Sequence, residues 1–251
     1  MKAARYGRVE EVEEIQRNNP TFDVTCHGDY KQTALHDVCE YGHDSIVSLL
    51  LAHPGIDVNV KNFYGWSPFM RACFYGSTSC VREMLKDSRV KVNELDNHGA
   101  TPLFRAASQG RLDTIRSWIA SGREMDLGEP GNEWTDAIGW AKEWRKTEVL
   151  TLLERFKENP VETRHAMRVE LGLVDALAAE MFAMVVFVSD GLMQVENLVD
   201  STPPAARFFR IASRLPLELQ VILCYRKVGS SKDIISGKDS EAAFKSLANK
   251  I

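Results

Sequence analysis

Through residue 156 the apolar residues fall into short blocks at helical spacing, separated by polar turns, and the blocks recur in pairs. In the clearest pair, Thr33-Ala-Leu-His-Asp-Val-Cys-Glu-Tyr-Gly42 leads into Ile46, Val47, Leu50 and Leu51, so each of two short helices carries one apolar stripe. Second-helix stripes return as Val81, Met84 and Leu85, as Ile115, Trp118 and Ile119, and as Val149, Leu150, Leu152, Leu153 and Phe156. Thr33, Ser67, Thr101 and Thr135 stand 34 residues apart, where a side-chain oxygen caps the free N–H groups of a starting helix. Pro68 and Pro102 fill the first-turn position that needs no N–H. Gly42, Gly76 and Gly110 keep the same 34-residue interval and end the first helix of each pair, where left-handed backbone is tolerated. Neither stripe of a pair can be buried alone, and a period between about 20 and 50 residues predicts an all-α solenoid of stacked pairs.

The copies divide as 29–61, 62–95, 96–129 and 130–156. The last is degenerate: Trp134-Thr-Asp-Ala-Ile-Gly-Trp-Ala-Lys-Glu-Trp144 keeps the phase but lacks the Pro, the paired Ala and the closing Gly. Ahead of them, residues 1–28 (Ala3-Ala-Arg-Tyr-Gly7, then Val9, Val12 and Ile15) read as a truncated copy or N-terminal cap. These blocks resemble ankyrin repeats, most closely in Gly99-Ala-Thr-Pro-Leu-Phe-Arg-Ala-Ala-Ser-Gln-Gly110. The resemblance implies helix pairs with hairpin-like turns, a concave face that binds protein partners, and a bracing role between repeats for the His36 and His43 rings. Asn59 and Asn93, which close their copies, read as loop braces.

Composition narrows the function. A net charge of −4 and a pI near 5.9 argue against a nucleic-acid partner and for a protein one. Five cysteines without a CxxC pair suggest neither a disulfide framework nor a zinc site, and point to reduced thiols in the cytoplasm or nucleus. The most apolar segment, Ala176–Val188, contains Glu180, is too short for a bilayer and reads as a buried helix. No nucleophile elbow, phosphate loop or metal-ligand spacing stands out, so no catalysis, metal or cofactor is expected.

The candidate binding residues lie where stacking makes the fewest demands, in the turns and on the outward side of the first helices. The second copy fills these places with Phe63, Tyr64, Trp66, Phe74 and Tyr75. Tyr6, Tyr30, Tyr41 and Trp134 join them, Tyr6, Tyr41 and Tyr75 forming a column beside their repeat glycines. Arg71 and Arg105 flank that column, with Asp37 in the same row. Tyrosine, tryptophan and arginine are the residue types that most often carry interface energy.

Beyond the repeats, Lys157–Arg168 reads as a helix end plus connector within a helical linker, 157–204. Two apolar runs, 171–179 and 181–188, suggest a helix, a turn and a helix, and Ser201-Thr-Pro-Pro204 precedes a helix over 205–213. In the segment 205–251, Leu215-Pro-Leu-Glu-Leu219, Ile222-Leu223 and Phe244-Lys-Ser-Leu-Ala248 resemble a divergent F-box-like domain of poxvirus-type or fungal ankyrin proteins. That resemblance implies docking on a cullin-RING ubiquitin-ligase adaptor through Leu215, Pro216, Leu219, Ile222 and Leu223. The residues themselves also read as a helical cap, with Leu219, Ile222 and Leu223 on one apolar face.

Overall fold

The computed structural model describes residues 2–18, 28–189, 212, 217–227 and 243. The chain divides into two compact units, Met1–Met167 and Arg168–Ile251.

In the first unit helices come in pairs: α1 (Lys2–Arg5) with α2 (Val9–Asn18), α3 (Ala34–Tyr41) with α4 (Asp44–Leu51), α5 (Pro68–Tyr75) with α6 (Thr78–Lys86), α7 (Pro102–Ser108) with α8 (Leu112–Ser121), and α9 (Ala137–Glu143) with α10 (Thr147–Glu158). First helices pack on first helices, α1 to α3 to α5 to α7 to α9, and second on second, from α2 through α4, α6 and α8 to α10. The expected stripes supply the core, with Leu35, Ile46, Phe69, Met84, Leu103 and Trp118 all buried. This is the all-helical stack that the 34-residue period predicts.

The caps follow the phase in three copies and depart from it in the fourth. Ser67 Oγ accepts from the Met70 amide at 3.2 Å, and Thr101 Oγ1 from the Phe104 amide at 3.0 Å. At α3 the Thr33 amide donates to His36 Nδ1 at 3.1 Å. An amide can only donate, so Nδ1 is the acceptor and the ring proton sits on Nε2, which donates to Trp66 O in the next repeat at 2.9 Å. In the fourth copy the cap is Asp136, not Thr135: its Oδ1 accepts from the Gly139 amide at 2.7 Å, while Thr135 Oγ1 accepts from the Glu129 amide. The intervening turn, with left-handed Gly128 and Gly131, holds one extra residue, so α9 starts one position late. The shift carries to its end, where Arg145 (φ 53°) takes the left-handed place held by Gly42 (φ 81°) and Gly76 (φ 79°).

Each of those glycines lies under a side chain of the next repeat. A Cβ on Gly7 would stand 2.7 Å from the His43 ring, and one on Gly76 2.7 Å from Arg111 Cδ. The crossing side chains bond the carbonyls at the helix ends: His43 Nε2 meets Arg5 O at 3.0 Å, Ser77 Oγ donates to Glu40 O at 3.2 Å, and Arg111 Nε donates to Phe74 O at 2.9 Å. Carbonyls at a helix C-terminus have no partner within the helix, so these contacts close it. Asn59 and Asn93 brace the loops as expected, accepting from the Lys91 and Asp126 amides at 2.8 and 3.2 Å.

Lys157–Arg168 is mostly helix rather than connector: α11 spans Pro160–Glu170. Asn159 Oδ1 accepts from the Glu162 amide at 3.2 Å, so Pro160 opens a helix instead of breaking one. In the second unit both apolar runs fall in or before one helix, α12 (Val174–Ser189), preceded by left-handed Gly172. It packs against α13 (Leu217–Lys227) through Phe182, Val185, Ala212 and Cys224. Apart from Ala212, the helix expected over 205–213 lies outside the described residues. No helix among the described residues is long and apolar enough to cross a membrane.

The four described cysteines are buried free thiols. Desolvation pushes Cys80 and Cys224 up to about 12 and holds Cys39 and Cys73 well above the usual thiol range, so none is a ready thiolate. Among the described residues no three His, Cys, Asp or Glu side chains converge as a metal site.

Candidate partner-binding face

The turns before α3, α5 and α7 are stitched to one another. Phe63 N–H donates to Tyr30 O at 2.8 Å, Asn97 N–H to Tyr64 O at 3.2 Å, and Asn97 Nδ2 to Phe63 O at 2.9 Å. This ladder turns the aromatic rings of the tips outward as a group. Tyr30 stacks on Tyr64 with centroids 5.9 Å apart, and Phe63 meets Tyr64 edge-on at 5.7 Å. Tyr6, Tyr30, Tyr41, Phe63, Tyr64 and Tyr75 are each at least 39% exposed, and Leu95 extends the list of exposed apolar side chains.

The other sequence-selected residues sit deeper. Trp66 is half-buried: its ring lies 4.9 Å from Phe74, and its indole N–H donates to Asp96 Oδ2 at 3.1 Å. Arg71 is only 7% exposed, pairs with Glu40 and lies 5.6 Å from the Tyr75 ring centroid. It is a strut behind the face rather than an open contact. Asp37, in the same row, is buried and pairs with Arg5 at 3.2 Å. Burial raises the Tyr75 phenol above its ordinary pKa, and the Glu40 carboxylate adds to the rise.

Asp96 organises the centre of the face. Its Oδ1 accepts from the His98 and Ala100 amides at 2.8 and 3.0 Å, while Oδ2 takes Trp66 Nε1 and Arg105 Nε, the latter at 3.0 Å. Burial alone would raise this carboxyl, but the Ala100 and His98 amides and the Arg105 guanidinium outweigh it and hold it below the usual carboxylate range. Arg105 in turn lies within 6 Å of three ring centroids: Trp66 at 5.4 Å, Trp134 at 5.8 Å and Phe104 at 5.9 Å.

Trp140 and Trp144 also lie on this face. Trp140 is 5.3 Å from Phe104 and 5.8 Å from Trp144. With Phe74, Phe104, Arg105, Ser108, Gln109 and Trp134 they line a slot of about 270 Å³. The signal was present in the chain, since Trp140 and Trp144 are one helical turn apart and share a helix face. It becomes legible once α9 is shifted by one residue, which puts Trp140 in the row of Arg71 and Arg105, and Trp144 in the column of Tyr41 and Tyr75.

On α13 the apolar face differs from the expected one. Leu219 is 48% exposed and Ile222 half-buried, while the helix turns Gln220, Cys224 and Tyr225 inward and packs Leu223 beside the Phe182 cluster. Leu215 and Pro216 lie outside the described residues.

Comparison with known proteins agrees with the stack. One family model, ankyrin repeats (3 copies), matches residues 55–128, and another, ankyrin repeats (many copies), matches residues 15–72. Residues 15–128 are thus ankyrin repeats, a generic protein–protein interaction module. No curated protein matches the chain.

Proposed function

We propose that the chain is a non-catalytic interaction module that holds a partner protein on the concave, aromatic-rich face of its ankyrin stack. The observation that carries this reading is the exposure of rings on the turns and first helices, Tyr6, Tyr30, Tyr41, Phe63, Tyr64 and Tyr75, with Tyr30, Phe63 and Tyr64 in one contacting group. Trp66, Phe74, Arg105 and Trp134 support them from below, and Arg71 fixes Tyr75. Rings clustered at this exposure cost solubility unless a partner covers them. Selection of a displayed random peptide library against the chain tests the reading. Replacing Tyr41, Phe63 and Tyr64 together by Ala is expected to weaken the selected binders at least about thirtyfold, given about 2 kcal/mol for a central anchor. The melting temperature should stay within a few degrees, because these rings are exposed. Equal binding by the triple variant sinks the proposal.

A second reading, favoured by the exposure of Leu219 on α13, has the C-terminal segment dock on a cullin-RING ubiquitin-ligase adaptor. Under it Leu215, Pro216, Leu219 and Ile222 carry the contact, while Leu223, packed beside the core, contributes mainly to folding. Retention of the chain on purified adaptor, lost with Leu219→Asp, distinguishes docking from a plain cap.

A further inference from the structure

The aromatic slot lies where the third copy lacks two rings that the second copy carries. The residues just before the left-handed position form a column down the stack: Tyr6, Tyr41, Tyr75, Gln109 and Trp144 precede Gly7, Gly42, Gly76, Gly110 and Arg145. Where the second copy presents Phe74-Tyr75, the third presents Ser108-Gln109. Ser108 and Gln109 line the slot of about 270 Å³, with aromatic residues Phe74, Phe104, Trp134, Trp140 and Trp144 at its walls.

Its polar lining is one-sided. Trp134, Trp140 and Trp144 each carry an indole N–H with no partner among the described residues, unlike those of Trp66 and Trp118. Arg105 spends Nε and Nη2 on Asp96 and has no partner for Nη1 among the described residues. Among the described residues no carboxylate lines the slot, and the charged side chain that does, Arg105, is paired behind it with buried Asp96. A cationic side chain, methylated or not, would meet the Arg105 guanidinium and find no carboxylate exposed in the slot to pair with, since Asp96 is buried and already engaged. The complementary occupant is ring-shaped, apolar, without positive charge, and rich in acceptors but poor in donors. Proline has that chemistry: it offers a compact apolar ring and a carbonyl and has no N–H, and a run of prolines is already ordered as a polyproline II helix. Such helices bind in aromatic-lined grooves at low entropic cost.

We propose that this slot is the specificity pocket of the partner-binding face and takes a proline-rich, polyproline II segment of the partner, a proposal that rests on the interaction-module reading above. The test is a tryptophan-fluorescence titration of the full chain with three ten-residue peptides: oligoproline, a Gly-Ser peptide, and a Gly-Ser peptide with one central trimethyl-lysine. Oligoproline is expected to change the emission saturably while the other two do not. Gln109→Tyr, which restores the ring of the second copy and fills the slot, should weaken oligoproline at least about tenfold, as should Trp144→Ala at a 58% exposed position. Val161→Ala, exposed on α11 and outside the binding face, should leave oligoproline binding unchanged. Circular dichroism identifies any variant that fails to fold, and the remaining slot variant then decides. No response to oligoproline, a stronger response to the trimethyl-lysine peptide, or undiminished binding by the folded slot variants would overturn the proposal. So would loss of the slot into self-association, seen by sedimentation. Peptides selected from the random library that are lost on the Tyr41, Phe63 and Tyr64 substitutions but ignore the slot variants would leave the interaction module standing and remove only its proline preference.

Discussion

Asp96→Asn is expected to destabilise the chain by about 2–4 kcal/mol in urea unfolding at neutral pH, the range for breaking a largely buried charge pair, moderated by the partial exposure of Arg105. The substitution isolates the charge. One copy earlier Asn62 already performs the turn function of this position, its Oδ1 accepting from the Tyr64 and Trp66 amides at 2.9 and 3.0 Å. An asparagine at 96 can therefore keep the His98 and Ala100 amides. What it cannot supply is an anionic acceptor for Trp66 Nε1 and Arg105, toward which it would turn an NH₂ group. The effect depends on pH in a fixed direction. The Asp96 carboxyl titrates lower in the folded chain than when unfolded. Its contribution is therefore fully present above the unfolded value of about 3.9 and is lost as pH falls through the lower folded value. The gap between wild type and Asp96→Asn should thus be constant from pH 7 to about 5 and should close in stronger acid. A gap that widened in acid would show that the carboxylate is not held by its donors.

Gly65→Ala is the second large expected effect, about 2 kcal/mol or more. Gly65 has φ 77°, and a Cβ there would stand 2.6 Å from the Asn97 backbone nitrogen and 2.3 Å from its side-chain oxygen. Gly99, one period on, has φ 79° but nothing within 4 Å of the same added atom. Gly99→Ala therefore reports the backbone cost alone, about 1 kcal/mol. The difference between the two measures the contact between successive turns. Because that contact carries the ladder presenting Phe63 and Tyr64, Gly65→Ala should also weaken binding of the selected peptides, whereas Gly99→Ala should not. Equal losses of stability from both substitutions would falsify this account of the turn stack.

The features legible in the chain are those enforced locally. Caps at Ser67 and Thr101, left-handed ends at Gly42 and Gly76, and the stripe positions are set by short-range backbone chemistry that any single copy displays. The failures come from two sources. One is a local rule with two outcomes: Pro160 reads as a stop until Asn159 is recognised as the residue capping a new helix. The other is pairing at a distance. Nothing near Arg71 in the sequence says that Glu40 neutralises it, nor near Arg105 that Asp96 does, so both arginines read as open contacts. The slot itself was hidden by a change of register. One added residue before α9 moves Trp140 and Trp144 into rows where the strict 34-residue count does not place them.

The side chains that cross from one repeat to close the preceding helix all point the same way along the chain. Arg5, Glu40 and Phe74 each receive their partner from the copy that follows, His43, Ser77 and Arg111. During synthesis a repeat therefore gains these bonds only when the next has left the ribosome, and an early stop leaves the helix-end carbonyls of the last copy made to water. Removal of an N-terminal copy leaves only flexible donors that water can satisfy. In this chain the closing group of each helix thus comes from the copy that is made after it.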